Sequence, residues 1–345
     1  MAYATISKPS LHFNTKLYTG TGAELAVTGV GFQPDFTWLK SRSIGEGHYI
    51  LDAVRGATKF LRSNNADAEA TGAQSLKSFD SDGFTIGTES DINTNNSTNV
   101  SWNWKANGAG SSNSDGTITS TVSVNTTSGF SIVKYTGSGA NATIGHGLGA
   151  VPKMIIVKNL SSYNWNVYHA SPGATKNMVL NEAEDQETQS YWQNTTPTST
   201  LFSVNNDNNV NQNSTQMIAY CFAEKAGFSK FGQYIGNGSN DGMFIYTGFK
   251  PAFVMVKDYT ANGYNWMMYD DKRLGYNVDN KHLVANNSSS EAGGASDNPV
   301  DLLSNGFKFR IANQNTNRSD SYLYMAFASE PLVANVGSSI PATAR

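Results

Sequence analysis

Val151-Pro152-Lys153-Met154-Ile155-Ile156-Val157-Lys158 decides the reading of this chain. Four bulky apolar residues lie between a proline-led entry and a lysine. A run of that length and composition suits a strand buried on both faces. The frame occurs twice more. Gly31-Phe32-Gln33-Pro34 leads to Lys40, and Gly248-Phe249-Lys250-Pro251 leads through Phe253-Val254-Met255-Val256 to Lys257. In all three copies the lysine lies six residues after the proline.

Working outward, each frame sits in a longer repeat. Tyr18-Thr19-Gly20-Thr21-Gly22, Tyr135-Thr136-Gly137-Ser138-Gly139 and Tyr234-Ile235-Gly236-Asn237-Gly238 precede it. His48-Tyr49-Ile50-Leu51-Asp52, Trp165-Asn166-Val167-Tyr168-His169 and Trp266-Met267-Met268-Tyr269-Asp270 follow. Each copy closes on an alternating strand: Trp102-Asn103-Trp104, Tyr220-Cys221-Phe222 or Met325-Ala326-Phe327. A period of about 100 residues is a whole domain, longer than the ~20–50 residues of a solenoid turn or propeller blade.

The expected organisation is repeat one over 1–105, a Ser/Gly/Asn/Thr-rich linker over 106–127, repeat two over 128–226, repeat three over 227–331 and a tail over 332–345. Asp82-Gly83, Asn237-Gly238, Asn262-Gly263 and Asn305-Gly306 mark turns between short strands, and no long amphipathic helical window occurs. The fold class expected is all-β: three tandem homologous β-sandwich domains of jelly-roll or concanavalin-like form. The repeated aromatics are then expected to fill the space between the two sheets of each copy.

Composition narrows the function. The 345 residues include 38 asparagines and 32 glycines, while 15% are charged and the net charge is −3. With no basic run, a nucleic-acid partner has no electrostatic basis. One cysteine makes neither an internal disulfide nor a multi-thiolate metal site. The first residues lack the apolar core of a secretory signal, and no stretch reaches the ~20 apolar residues of a membrane span, so membrane insertion is not expected.

The motifs that suggest chemistry have plainer readings. Asp80-Ser81-Asp82-Gly83 resembles the start of a calcium loop but lacks the further acidic ligands and downstream Glu. Gly145-His146-Gly147-Leu148-Gly149 precedes a strand, whereas a phosphate loop opens a helix. Cys221 falls in the small-residue phase of a closing strand, as a packed thiol would. Glu182, Glu184, Asp185 and Glu187 crowd one polar loop rather than facing across a cleft. The five histidines show no paired metal spacing. A non-enzymatic protein without metal or cofactor is the expectation. Sugar binding needs only aromatic platforms with amides nearby. The candidates are aromatics outside the repeat pattern or in polar loops: Tyr163, Tyr191, Trp192, Tyr264 and Tyr276. The competing reading packs them against a neighbouring domain or subunit.

The chain resembles the repeat-containing, tail-fibre-like virion proteins of marine tailed bacteriophages. The resemblance covers nearly the whole chain. It rests on Phe13-Asn14-Thr15-Lys16-Leu17-Tyr18-Thr19-Gly20, Val100-Ser101-Trp102-Asn103-Trp104-Lys105, Ile144-Gly145-His146-Gly147-Leu148-Gly149 and Ile340-Pro341-Ala342-Thr343-Ala344-Arg345. It implies a structural protein on the particle surface and carries no catalytic residues. The expected partners are other virion proteins, copies of this chain (a trimer being one form) and a host surface glycan that mediates attachment. A capsid decoration or cement protein is the first alternative, and a glycan depolymerase the second.

Overall fold

The computed structural model describes residues 4–273, 277, 281–294 and 296–331. The first stretch contains β1 (Phe13–Thr19), β2 (Leu25–Thr28), β3 (Phe36–Ser41), β4 (Tyr49–Asp52), β5 (Lys59–Leu61), β6 (Ala70–Thr71), β7 (Leu76–Asp80), β8 (Gly83–Ile86) and β9 (Thr98–Trp104). The second contains β10 (Ser111–Asn113), β11 (Ser120–Asn125), β12 (Phe130–Thr136), β13 (Ala142–Gly145), β14 (Pro152–Asn159), β15 (Trp165–His169), β16 (Lys176–Val179), β17 (Glu187–Thr188), β18 (Leu201–Val204) and β19 (Gln216–Ala223). The third contains β20 (Ser229–Ile235), β21 (Phe244–Tyr246), β22 (Phe249–Asp258), β23 (Met267–Asp270), β24 (Lys281–Val284), β25 (Ala292–Gly293), β26 (Val300–Leu303), β27 (Gly306–Phe309) and β28 (Ser321–Pro331). Single-turn helices α1 (Ser90–Asn93) and α2 (Asn208–Asn211) precede the closing strands β9 and β19.

The strands form six sheets, and every strand pair within them is antiparallel, so the architecture is all-β. Each stretch contributes one large and one small sheet. The large ones run β1-β9-β3-β4-β5-β6, β10-β11-β12-β19-β14-β15-β16-β17 and β20-β28-β22-β23-β24-β25. The small ones run β2-β8-β7, β13-β18 and β21-β27-β26.

Alternation decides what each face of a large sheet covers, because successive side chains point to opposite sides. On β14, Ile155 and Val157 pack toward the second small sheet, as Val254 and Val256 on β22 do in the third stretch. The other phase behaves differently. Phe36 and Trp38, Met154 and Ile156, and Phe253 and Met255 all enter one apolar cluster, together with Trp102, Trp104, Tyr220, Phe222, Met325 and Phe327. The shared aromatics therefore do not fill three separate sandwiches. They meet at a common centre, where Trp104 touches Phe13, Phe36, Phe130, Phe222, Phe253 and Phe327 with ring centroids 4.7–6.5 Å apart. The small-residue phase of the closing strands faces outward, and Cys221 is buried there with Ala219 and Ala223.

Residues 106–127 were expected to be a linker, but they carry two strands. Serine, threonine and valine alternate through Ser120-Thr121-Val122-Ser123-Val124, and Val122 pairs with Val133. The buried Val122 joins the second outer core. The segment extends the second large sheet by β10 and β11, and between those two strands it runs beside the small sheet, where Ile118 bridges Ile144.

Candidate functional site

The three large sheets close into a ring through contacts that repeat at equivalent positions. The lysine that ends each proline-led strand is the first. Lys40 Nζ donates to Ser288 O at 3.2 Å, Lys158 Nζ to Ala66 O at 3.1 Å, and Lys257 Nζ to Ala183 O at 2.9 Å. Each acceptor belongs to another stretch, in the cyclic order first to third, second to first, third to second. The return contact runs in the opposite sense from a residue three further along. The amides of Glu69, Gln186 and Glu291 donate to the carbonyls of Leu160, Tyr259 and Arg42, each two residues beyond a latch lysine.

The same ammonium groups also hold their own loops. Lys158 donates to Ser161 O and Tyr163 O, Lys257 to Tyr264 O, and Lys40 to Ser41 O. An ammonium has three protons to place and no other means of satisfaction once buried. Burial pushes Lys158 down to about 7 and Lys40 and Lys257 to about 8, while nearby carboxylates, Asp67 for Lys158 and Asp258 for Lys257, pull the other way.

A second equivalent set lies one strand further in. Trp165 Nε1 donates to Arg62 O at 2.8 Å and Trp266 Nε1 to Val179 O at 2.9 Å. In the first stretch His48 stands at that position. Its Nδ1 accepts from Trp38 Nε1, which leaves Nε2 to donate to Val284 O at 2.9 Å. Burial holds this imidazole near 3, so it stays neutral in that role.

The third set shows where the stretches differ. Asp52 is paired with Arg55 at 2.5 Å and accepts from Tyr220 of the second stretch at 2.8 Å. Asp270 is paired with Arg273 at 2.7 Å and accepts from Trp102 of the first at 3.0 Å. The second stretch has His169 instead, whose Nε2 lies 3.3 Å from Tyr324 O. Burial depresses it to about 4. Buried carboxylates normally need a cation and hydrogen bonds together, and both aspartates have them. These groups are spent on closure.

The candidate sugar platforms fall at scattered places. Tyr163 and Tyr191 flank α2: the Tyr163 hydroxyl accepts from Asn208 and that of Tyr191 from Asn209, each at 3.3 Å. Both rings are half-buried. Tyr264 is half-buried in the third stretch, its hydroxyl accepting from Arg318 at 2.8 Å. Trp192 is 1% exposed and packs edge-on against Tyr168, so it offers no face to a sugar; its apolar bulk fills the second outer core instead. Tyr276 lies outside the described residues. Asp82, read above as a turn residue rather than a calcium ligand, accepts from the amides of Gly29 and Gly31.

The sequence reading did not anticipate the exposed residues Met243, Phe244 and Tyr246 on and beside β21. The run Met243-Phe244-Ile245-Tyr246 was legible as four consecutive large apolar residues in a polar neighbourhood, a pattern that a one-sided strand does not require. The latch lysines were visible too, through their constant distance from proline, but nothing local showed what they hold.

Residues 8–331 match the family model described as a domain of unknown function, DUF7483, so the chain belongs to that family. No curated protein and no solved structure matches it.

Proposed function

We propose that this DUF7483 member is a non-enzymatic structural protein of a bacteriophage particle surface, a tail-fibre-like component whose outer faces meet the host, with surface glycans as the ligand class. The observation that carries this reading is the self-closed ring. Head-to-tail contacts that would ordinarily join three separate subunits are made here within one chain, at three equivalent lysines and three equivalent ring N–H donors. Such closure suits a rigid body that bears mechanical and solvent stress. A surface rich in Asn, Ser and Thr with few charges has little Coulomb energy for salt to screen, which fits exposure to seawater. On this reading the three stretches are copies of one jelly-roll or concanavalin-like sandwich whose inner sheets have merged at the centre.

A second reading, a capsid decoration protein, draws support from the threefold character of the ring, which matches the symmetry of lattice positions on a shell. Gold-labelled antibody against the purified chain separates the two on intact particles. Label confined to the tail supports the first reading, label over the whole shell supports the second, and particles without label defeat both. A glycan array with a host-adsorption competition assay tests the ligand class. Absence of binding together with absence of competition removes the receptor role.

A further inference from the structure

We propose that β21 is a self-association edge, pairing antiparallel with β21 of a second copy of this chain. Equivalent positions in the three small sheets make the case. Val27, Ile144 and Ile245 each point inward and pair with a phenylalanine: Phe84, Phe202 and Phe307. The outward neighbours differ. The first sheet has Ala26 and Thr28, and the second has Thr143 and Gly145. The third has Phe244, 44% exposed, and Tyr246, 52% exposed, with Met243 beside them at 50%.

The second edge shows how this fold closes such a strand from within. Residues 115–118 run along β13. Thr117 and Thr143 exchange bonds, with Thr143 N donating to Thr117 Oγ1 at 2.8 Å and Thr117 N to Thr143 Oγ1 at 3.0 Å, while Ile118 N donates to Thr143 O at 3.1 Å. Glycine at 145 leaves room for this packing: a Cβ there would lie 1.8 Å from Asn113 Oδ1 and 3.1 Å from Asp115 Cβ. The third edge has Tyr246 rather than glycine at the matching position, and its ring is exposed. β21 is the outermost strand of its sheet, and among the described residues only β27 pairs with it.

An uncharged, aromatic edge strand is a template for another strand. The residues around Ile245 have the same character in both directions, which points to a second copy as the occupant. A twofold axis through Ile245 places Phe244 opposite Tyr246 and Tyr246 opposite Phe244. Both exposed rings of each copy then gain a cross-strand aromatic partner, and the two inward isoleucines continue their cores. No charged side chain lies within Met243-Phe244-Ile245-Tyr246; Lys308, which stands opposite Phe244 on β27, is paired with Asp241, as is Arg310. A contact this narrow falls short of the ~1,200 Å² of a stable interface, so the dimer forms with rising concentration. The proposal is independent of where on a particle the chain resides.

The lone cysteine is fully buried, so introduced thiols are the reactive ones. Phe244→Cys and Tyr246→Cys variants are oxidised separately and as a mixture. Directly opposed residues lie within disulfide reach, whereas like residues, two positions out of register, do not. The expected result is a disulfide-linked dimer in the mixture at least tenfold above either variant alone. In sedimentation the wild type should move toward dimer mass as concentration rises, and Tyr246→Lys should stay monomeric with an unchanged melting temperature. A wild type that remains monomeric, with cross-linking no greater in the mixture than in the single variants, overturns the proposal. So does equal cross-linking in all three samples, which means random collision. Glycan binding lost in Tyr246→Lys without wild-type self-association also overturns it and assigns the face to sugar.

Discussion

The inner faces of the large sheets and the outer edges of the small ones carry very different amounts of variation. At the centre, equivalent positions hold equivalent groups: an aromatic or methionine pair on each closing strand, a latch lysine, a ring N–H donor. At the small-sheet edges one strand carries Ala26 and Thr28, one is covered by residues 115–118, and one exposes Phe244 and Tyr246. A position that must satisfy two neighbouring stretches at once accepts few substitutes. A position facing solvent accepts many, and there the copies became distinguishable.

The largest effect is expected at the centre. Trp104→Ala removes a fully buried indole touching aromatics of all three stretches and should lower stability by about 3–5 kcal/mol. Because the core is shared, calorimetry should show one transition moving down as a whole. A split endotherm in which only the first stretch melts early would show that the ring is not a cooperative unit. Trp266→Ala is expected in the same range, since it also loses the bond to Val179 O.

The latches come next. Lys158→Met leaves the carbonyls of Ala66, Ser161 and Tyr163 without their donor and should cost about 1–3 kcal/mol in chemical denaturation. The wild type also has a pH signature. Its latch lysines lose their protons more readily folded than unfolded, so between about 7, the folded value of Lys158, and its ordinary 10.5 the unfolded chain binds more protons. Stability from this source rises as pH climbs through that window and is lost again as pH falls through about 7. Lys158→Met should flatten the rise, and a profile identical to wild type would show that Lys158 titrates normally.

Smaller effects belong to the edges. Gly145→Val drives a side chain into Asn113 and should displace residues 115–118, at a cost of about 1–3 kcal/mol. Hydrogen exchange at Ile118 and Thr143 should speed up while the centre stays protected. Tyr163→Ala is the mildest. It should change the melting free energy by no more than about 0.5 kcal/mol, and on the attachment reading it weakens glycan retention without unfolding.

Much of the fold was legible from the chain. The proline-led strands, the closing strands and their two phases were found at Met154–Val157, Phe253–Val256 and Trp102–Trp104, because period-two alternation is written locally. The alternation of Ser120–Val124 was equally local but was masked by its Gly/Ser/Asn-rich surroundings. The candidate site was harder to read. Trp192, outside the repeat pattern, looked like a surface platform, yet it fills a core peculiar to the second stretch. Phe244 and Tyr246 stand in an apolar run that nothing local marks as exposed, yet they face solvent. Being absent from a repeat says that a residue differs, not where it points.

By itself the sequence determined that the chain is β throughout, that it repeats three times, and which residues share a strand face, since each of these follows from near-neighbour stereochemistry and spacing. Only the tertiary structure decided what covers each face. Side-chain alternation sorts Trp104 from Asn103, but it is silent on whether Trp104 meets a sheet of its own stretch or the centre of a ring. That choice is made by contacts between residues a hundred or more positions apart, such as Trp104 with Phe253 and Phe327, Lys158 with Ala66, and Trp266 with Val179.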